Sequence, residues 1–456
     1  MPLFFFLKNE EKADNMTFMN KKTYNIFIIG CQMNKSDSER IAFSLESLGY
    51  FPEEDIYKAS LVVITTCGVR QSAEDRIYGL IPAVRRKNPE VKIILTGCLS
   101  AEKLVKERLG DSVDIWMPIV ELDNLPSLLG EDSLGGHERD YLNLKARYES
   151  DFSAFIPIGN GCDNFCSYCY VPHARGREKY RDHKEIINEA KDLIKKGYKE
   201  ITLIAQNVNS YKSADIDFPK LLKMTNDLPG DFWLRFSTSH PKDMSDELIK
   251  EMGECEKLCH HVHLPAQAGD DEVLKRMNRK YTQGHYLELI DKIRKSLNKQ
   301  AGEIVSGFWM PPVAISTDII VGFPGETEKQ FRETVKLFET VKYDMAYIAQ
   351  YSPRPNTAAA KMSDLVSEDE KKRRDEELND VLGRYNLENN KKYLNRVVEV
   401  LVDSKNSRGE MIGKTKTSKT VIISDTTKSR KIGDILEVKI KSVKNFGLYG
   451  EINKDE

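Results

Sequence analysis

The stretch that decides the fold reads Gly161-Cys162-Asp163-Asn164-Phe165-Cys166-Ser167-Tyr168-Cys169. Its cysteines follow the spacing C-x-x-x-C-x-x-C, directly after a β-branched, strand-like run at 153–158. Three thiolates on one short loop suit three irons of a [4Fe–4S] cluster and leave the fourth iron without a protein ligand. A cofactor that chelates this open iron can receive an electron there. The competing reading is a zinc knuckle with His173 as fourth ligand, although zinc sites more often use C-x-x-C pairs.

Outward from this loop the chain alternates. Strand-like runs at 200–205, 232–237, 261–264, 317–322 and 345–350 are each followed by a helical pattern. With 153–158 this makes six β/α units, short of the eight that close a full barrel. An open, partial (β/α)6 barrel over 150–392 is therefore expected, ended by a charged helical stretch at 367–392. Upstream, residues 22–135 repeat the alternation, with strands at 25–29, 61–65 and 92–96 and helices at 36–48, 72–86 and 101–109. That pattern implies a second, parallel α/β domain. Residues 130–150, with Gly135-Gly136, read as a polar linker. Downstream, 393–456 switches to short strands at 397–402, 420–423, 435–440 and 448–452, a small β-barrel like an OB-fold. Residues 1–21 read as a disordered extension, with Met16 and Met19 as alternative starts.

Eight cysteines occur in the chain. Cys31, Cys67 and Cys98 each sit just past a candidate strand, in Ile-Ile-Gly-Cys31, Ile-Thr-Thr-Cys67 and Leu-Thr-Gly-Cys98. In a parallel sheet those ends share one edge, where ligand sites form. Singly, each cysteine reads as a small buried hydrophobe; the same placement three times points to a second cluster. Cys255 and Cys259 lie four apart on a helical pattern and read as a helix end packed into the barrel.

The loop at 161–169, with an aromatic residue before its last cysteine, resembles the radical S-adenosylmethionine (SAM) superfamily. Gly30-Cys31-Gln32-Met33-Asn34, Thr66-Cys67-Gly68-Val69-Arg70 and Thr96-Gly97-Cys98 look like the amino-terminal domain of the methylthiotransferases. Further motifs are similar to the MiaB-type branch. They include Pro172-His173-Ala174-Arg175-Gly176-Arg177-Glu178, Gln206-Asn207-Val208-Asn209-Ser210-Tyr211, Met277-Asn278-Arg279 and Gly322-Phe323-Pro324-Gly325-Glu326-Thr327. The resemblance implies two [4Fe–4S] clusters, a radical cluster on Cys162, Cys166 and Cys169 and a sulfur-handling one on Cys31, Cys67 and Cys98. It places Tyr168 near the adenine of SAM. Gly322 and Gly325 offer backbone contacts to SAM, since small residues permit close approach, or mark an ordinary strand-to-helix turn.

The implied reaction adds a methylthio group to carbon 2 of an N(6)-isopentenylated adenosine beside the anticodon of tRNA. It consumes SAM both as methyl donor and as radical source, and needs an external electron donor and a sulfur source. The final β module looks like a TRAM domain, an RNA-binding barrel. Departures from the family pattern are modest: Ala268 stands where Ser is usual, 300–312 looks inserted, and Lys414 replaces a commoner Arg. The alternatives are a methylthiotransferase for threonylcarbamoyladenosine or for a ribosomal-protein aspartate, and, in a different class, a non-catalytic zinc-stabilised RNA-binding protein.

Charge supports a nucleic-acid partner only locally. The net charge is −2, but residues 391–456 carry 15 Lys/Arg against 9 Asp/Glu. That is the layout of a basic binding module on an acidic body, or of a solvated lysine-rich surface. No run approaches the roughly 20 apolar residues of a membrane span, and a cytoplasmic location is expected.

Overall fold

The computed structural model describes residues 22–68, 71–131, 141–305, 307–424 and 430–453. The extension at 1–21, Val69-Arg70 and Gly135-Gly136 lie outside the described residues.

The first sheet has five parallel strands in the order Phe51–Pro52, Thr23–Ile28, Leu61–Thr66, Lys92–Gly97, Ile115–Met117. Sequence patterning finds only the three central ones, because the two edge strands are too short to show a period. Alternation along the central strands serves two cores. Leu61, Val63 and Ile94 pack against Ile41, Ala42 and Leu45 of the helix Gln32–Ser47. Val62, Ile64, Ile93 and Leu95 pack against Ile77, Ile81 and Val84 of the helix Gln71–Lys87 on the other face. The chain thus leaves Thr23–Ile28 toward one face and Leu61–Thr66 toward the other. A crevice opens between such strand ends, the switch point of a doubly wound sheet. The stretch read as a linker partly joins this domain: Tyr141 and Leu142 are buried with Leu122 and Leu125.

The central unit carries six parallel strands: Ser153–Pro157, Glu200–Ile204, Trp233–Ser237, His261–His263, Ala314–Val321 and Met345–Gln350. They form two three-stranded ladders. A parallel bridge between Leu234 and Leu258 joins them, with Cys259 N–H donating to the Leu234 carbonyl at 2.8 Å. Among the described residues no ladder joins the first strand to the sixth, so the barrel is open, as six units require. The helices His183–Lys195, Phe218–Asn226, Asp246–Met252, Gln283–Leu297 and Glu328–Val341 cover its outside. Each starts at an Asp, Ser or Thr whose side chain accepts a backbone N–H of the first turn.

Cys255 and Cys259 correct one expectation. The helix stops at Met252, and both cysteines lie in the connection to His261–His263. Cys255 is buried in the barrel core, and Cys259 packs against Trp233 and Leu401. The stretch at 300–312 is a short hairpin of Ile304–Val305 with Phe308–Trp309.

The carboxy-terminal strands close a five-stranded barrel in the order Val397–Lys405, Met411–Thr415, Thr420–Ser424, Gly447–Ile452, Ile435–Lys444. Met411–Thr415 is the strand that patterning misses, since Gly413 and Lys414 interrupt its apolar run. This barrel sits under the N-terminal ends of the central strands. Lys419 pairs with Asp344 at 2.8 Å, and Arg235 donates to the carbonyls of Thr415 and Lys416. The opposite, C-terminal ends stay free of it.

Candidate active site

The loop 161–169 leaves the C-terminal end of Ser153–Pro157. Gly161 starts it at φ +84, and a Cβ there would lie 2.2 Å from the Arg177 carbonyl oxygen. Only glycine lets the loop turn this closely. The Gly161 N–H is held by Gln206 Oε1 at 2.6 Å, from the end of the next strand. Cys162, Cys166 and Cys169 are all partly buried. Burial comes first in raising the Cys169 thiol, and electrostatic repulsion from Cys166, Cys162 and Cys98 adds to it. Thiols this close are hard to ionise together without a compensating cation.

That last contributor links the two triads: Cys98, from the first sheet, lies within electrostatic reach of Cys169. Tyr170 and Ala174 form one buried apolar group with Cys98. The Tyr170 ring also lies over Gly68, beside Cys67.

The three amino-terminal cysteines share one strand edge. Thr66 and Gly97 are register partners, so Cys67 and Cys98 follow side by side. Cys31 follows the neighbouring strand as N-cap of Gln32–Ser47. Asn34, fully buried, ties these ends together. Its Oδ1 accepts from the Cys31 N–H (3.3 Å) and thiol (3.4 Å), and its Nδ2 donates to the Thr66 carbonyl (3.0 Å). Gly97, at φ +84, brings the third end in: a Cβ there would lie 2.4 Å from Thr66 O and 3.2 Å from Asn34 Nδ2.

The fit to the expected groups rests on these donors and on unpartnered atoms. Ser167 Oγ, Asn207 Oδ1, Ser237 Oγ and Ser239 Oγ are buried without a hydrogen-bond partner, all at the C-terminal strand ends or in the cysteine loop. Buried polar atoms normally find partners, so this mouth suits a polar ligand such as SAM. Among the described residues no three His, Cys, Asp or Glu side chains converge as ligands of a single metal ion. A cube-shaped cluster binds each thiolate at a different iron and does not need them to meet at one point. His173 is exposed, its ring 5.9 Å from that of Tyr170.

Tyr168 packs against the barrel core, with Arg279 among its electrostatic neighbours. Gly322 and Gly325 lie in the turn after Ala314–Val321. Gly322 N–H donates to Glu326 Oε2 at 2.7 Å, and Arg276 Nη1 donates to the Gly325 carbonyl at 3.2 Å. Both contacts belong to this strand-to-helix turn.

Sequence reasoning assigned no role to Asn34, Tyr170, Arg175 or Arg279. Arg175 donates to Asp37 at 2.6 Å and to Asn160 Oδ1 at 2.9 Å, both contacts buried. Arg279 Nη1 donates to Cys166 Sγ at 3.3 Å. The asparagine's i+3 spacing from Cys31 is a readable capping signal; the Arg175–Asp37 and Arg279–Cys166 contacts each span more than a hundred residues and leave no local signal.

Comparison with known proteins covers all three units. The Radical SAM superfamily model matches residues 156–338, the model for the uncharacterized protein family UPF0004 matches 23–117, and the TRAM domain model matches 391–452. A tRNA-2-methylthio-N(6)-dimethylallyladenosine synthase of Clostridium novyi (strain NT) is 40% identical, over 96% of this chain and 98% of that one. One from Thermoanaerobacter sp. (strain X514) is 41% identical, over 94% and 92%. Among solved structures, the radical S-adenosylmethionine methyltransferase TsrM from Kitasatospora setae, with tryptophan substrate and a SAM analogue, aligns at a TM-score of 0.54. It is 15% identical, over 74% of this chain and 75% of that one, and shows likeness of fold.

Proposed function

The chain belongs to the family of tRNA-2-methylthio-N(6)-dimethylallyladenosine synthases, radical SAM methylthiotransferases, and from that premise we propose how its residues divide the work. The substrate is an N(6)-isopentenylated adenosine beside the anticodon of tRNA, methylthiolated at carbon 2. Superfamily membership implies SAM and one [4Fe–4S] cluster. We assign that cluster to Cys162, Cys166 and Cys169, and a second to Cys31, Cys67 and Cys98. When bound, the first cluster with SAM supplies a carbon radical able to break an unactivated C–H bond, and the second supplies sulfur.

The observation that carries this reading is the meeting of two cysteine triads through Cys98, Tyr170 and Cys169. Sulfur delivery and hydrogen abstraction at one carbon require both centres beside one substrate. Gln206 and Gly161 fix the first loop; Asn34 and Gly97 fix the second. The orphaned Ser167, Asn207, Ser237 and Ser239 line the mouth for SAM, with Tyr168 beside them and Gly322 and Gly325 on the rim. Bases of an anticodon loop are unstacked and can be drawn into such a mouth. The carboxy-terminal barrel holds tRNA phosphates. An external one-electron donor and a sulfur source complete the reaction, in the cytoplasm. Among the described residues no helix is long and apolar enough to cross a membrane.

Anaerobic reconstitution tests the assignment. About eight irons per chain are expected, and about half after Cys162, Cys166 and Cys169 are replaced by Ala; four in the unaltered protein refutes the second cluster. Cys166→Ala abolishes reductive SAM cleavage. Cys67→Ala keeps cleavage and yields no methylthio product. Mass spectrometry of tRNA nucleosides from a deletion strain identifies the substrate base.

A further inference from the structure

Among the described residues six arginines are buried: Arg40, Arg175, Arg181, Arg279, Arg354 and Arg374. Five have a carboxylate partner, namely Glu189 for Arg40 and Arg181, Asp37 for Arg175, Glu74 for Arg354 and Glu326 for Arg374. Among the described residues no Asp or Glu forms an ion pair with Arg279. Its guanidinium is nevertheless held firmly. Nε donates to the Tyr281 hydroxyl at 2.7 Å, Nη2 to the Pro265 carbonyl at 2.9 Å and Nη1 to Cys166 Sγ at 3.3 Å. Tyr281 is itself anchored on the Pro265 and Ala266 carbonyls. The nearby His240 is a neutral neighbour: its ring is 5.7 Å from that of Tyr281, and burial, with Arg279 and Lys242 adding to it, pushes its pKa down to about 2.

A buried, always-charged guanidinium without a counter-ion is costly. Here the group it faces is the sulfur of a proposed iron ligand. We propose that Arg279 is the counter-charge of the cluster held by Cys162, Cys166 and Cys169, and that its donation to Cys166 raises the reduction potential of that cluster. The inference rests on the assignment of those three cysteines as cluster ligands.

The sign follows from charge. A thiolate-ligated cluster gains one electron, and so one negative charge, on reduction by an external one-electron donor. A fixed cation at a ligand sulfur stabilises the more negative state more, and hydrogen bonds to the sulfurs are among the determinants of cluster potential. Arg279 thus acts through Cys166 as a positioning residue, making the cluster easier to reduce before SAM is cleaved.

The test is an EPR-monitored redox titration without SAM, in protein whose Cys31, Cys67 and Cys98 are replaced by Ala so that one cluster is read. Arg279→Gln is expected to lower the reduced-to-oxidised ratio at the parent midpoint at least tenfold, a shift of about 59 mV for a one-electron couple. Arg279→Lys, which keeps the charge, shifts it less. An unchanged midpoint in Arg279→Gln overturns the proposal. So does weakened SAM binding at an unchanged midpoint, which assigns the guanidinium to the SAM carboxylate instead. If the glutamine variant does not hold iron, unsubstituted protein labelled with 15N-arginine decides. A 15N coupling to the reduced cluster by HYSCORE, lost in Arg279→Lys, supports the contact, and its absence in the parent refutes it. Iron that survives replacement of Cys162, Cys166 and Cys169 in that same background, where Cys31, Cys67 and Cys98 are already Ala, refutes the ligand assignment itself, whatever Arg279 does.

Discussion

Asp37 and Arg175 form a buried ion pair between the amino-terminal domain and the barrel, with both side chains almost wholly excluded from water. Burial raises the Asp37 carboxyl, and Arg175 opposes it. Such a pair is expensive to assemble and more expensive to break on one side, by about 3–5 kcal/mol. Asp37→Ala is therefore expected to lower the thermal midpoint markedly, and combining it with Arg175→Met to recover part of the loss. A double change no better than the single one refutes this account. His261 gives a second prediction at this scale. Burial first, then electrostatic coupling to Arg235, His263, Lys419 and Lys414, lowers its pKa to about 3, and its Nε2 lies 2.9 Å from Ser316 Oγ. The folded state thus keeps His261 neutral where the unfolded chain takes up a proton. Its contribution is full above pH 6.5 and declines as pH falls toward 3, by about 1.4 kcal/mol per pH unit. Melting curves of the parent and His261→Gln at pH 7 and pH 5 check this: the parent loses more stability than the variant.

At the scale of elements, the hairpin Ile304–Val305 with Phe308–Trp309 has a definite task. Trp309 is buried in the core of the carboxy-terminal barrel with Val398, Val400 and Leu436. Its ring meets Tyr393 edge-on at 5.1 Å, and Arg396 lies over it at 5.5 Å. A segment that looks like an insertion in sequence therefore fastens one domain to another. Trp309→Ala removes a large buried aromatic ring, at a cost of about 3–5 kcal/mol. Limited proteolysis is expected to release the carboxy-terminal barrel from this variant first, with iron content unchanged. Cleavage no faster than in the parent shows that Arg235 and the Lys419–Asp344 pair hold the barrel unaided.

For the molecule as a whole, the TRAM barrel and the cysteine triads lie at opposite ends of the central strands. If the basic barrel holds the tRNA as proposed, the tRNA has to reach along the open side to bring its anticodon loop to the mouth. Deleting residues 393–456 would also expose Trp233, Arg235 and Asp344, which mixes binding with stability. Neutralising exposed lysines separates the two. Lys405, Lys414 and Lys444 are exposed on this barrel. Replacing all three by Gln is expected to weaken tRNA binding and to flatten the slope of log K against log salt by about 2. Filter binding at several salt concentrations measures this. An unchanged slope shows that the lysines are a solvated surface and moves the phosphate contacts to the barrel rim and the amino-terminal domain.

The sequence by itself determined the three-unit plan, the six central strands and both cysteine triads. Each of these is written locally, as a period of apolar residues, a C-x-x-x-C-x-x-C spacing, or a Gly-Cys at a strand end. What lay beyond it has a common physical cause. Two-residue strands such as Phe51–Pro52 and the interrupted Met411–Thr415 have no period to read and exist because neighbouring strands complete their hydrogen bonds. The nearness of Cys98 to Cys169, the Asp37–Arg175 pair, the anchoring of Trp309 and the Arg279–Cys166 contact join residues distant in the chain. Only packing of the amino-terminal sheet, the partial barrel and the small β-barrel against one another decides them, because a charge or thiol acquires its environment from whatever the fold places beside it.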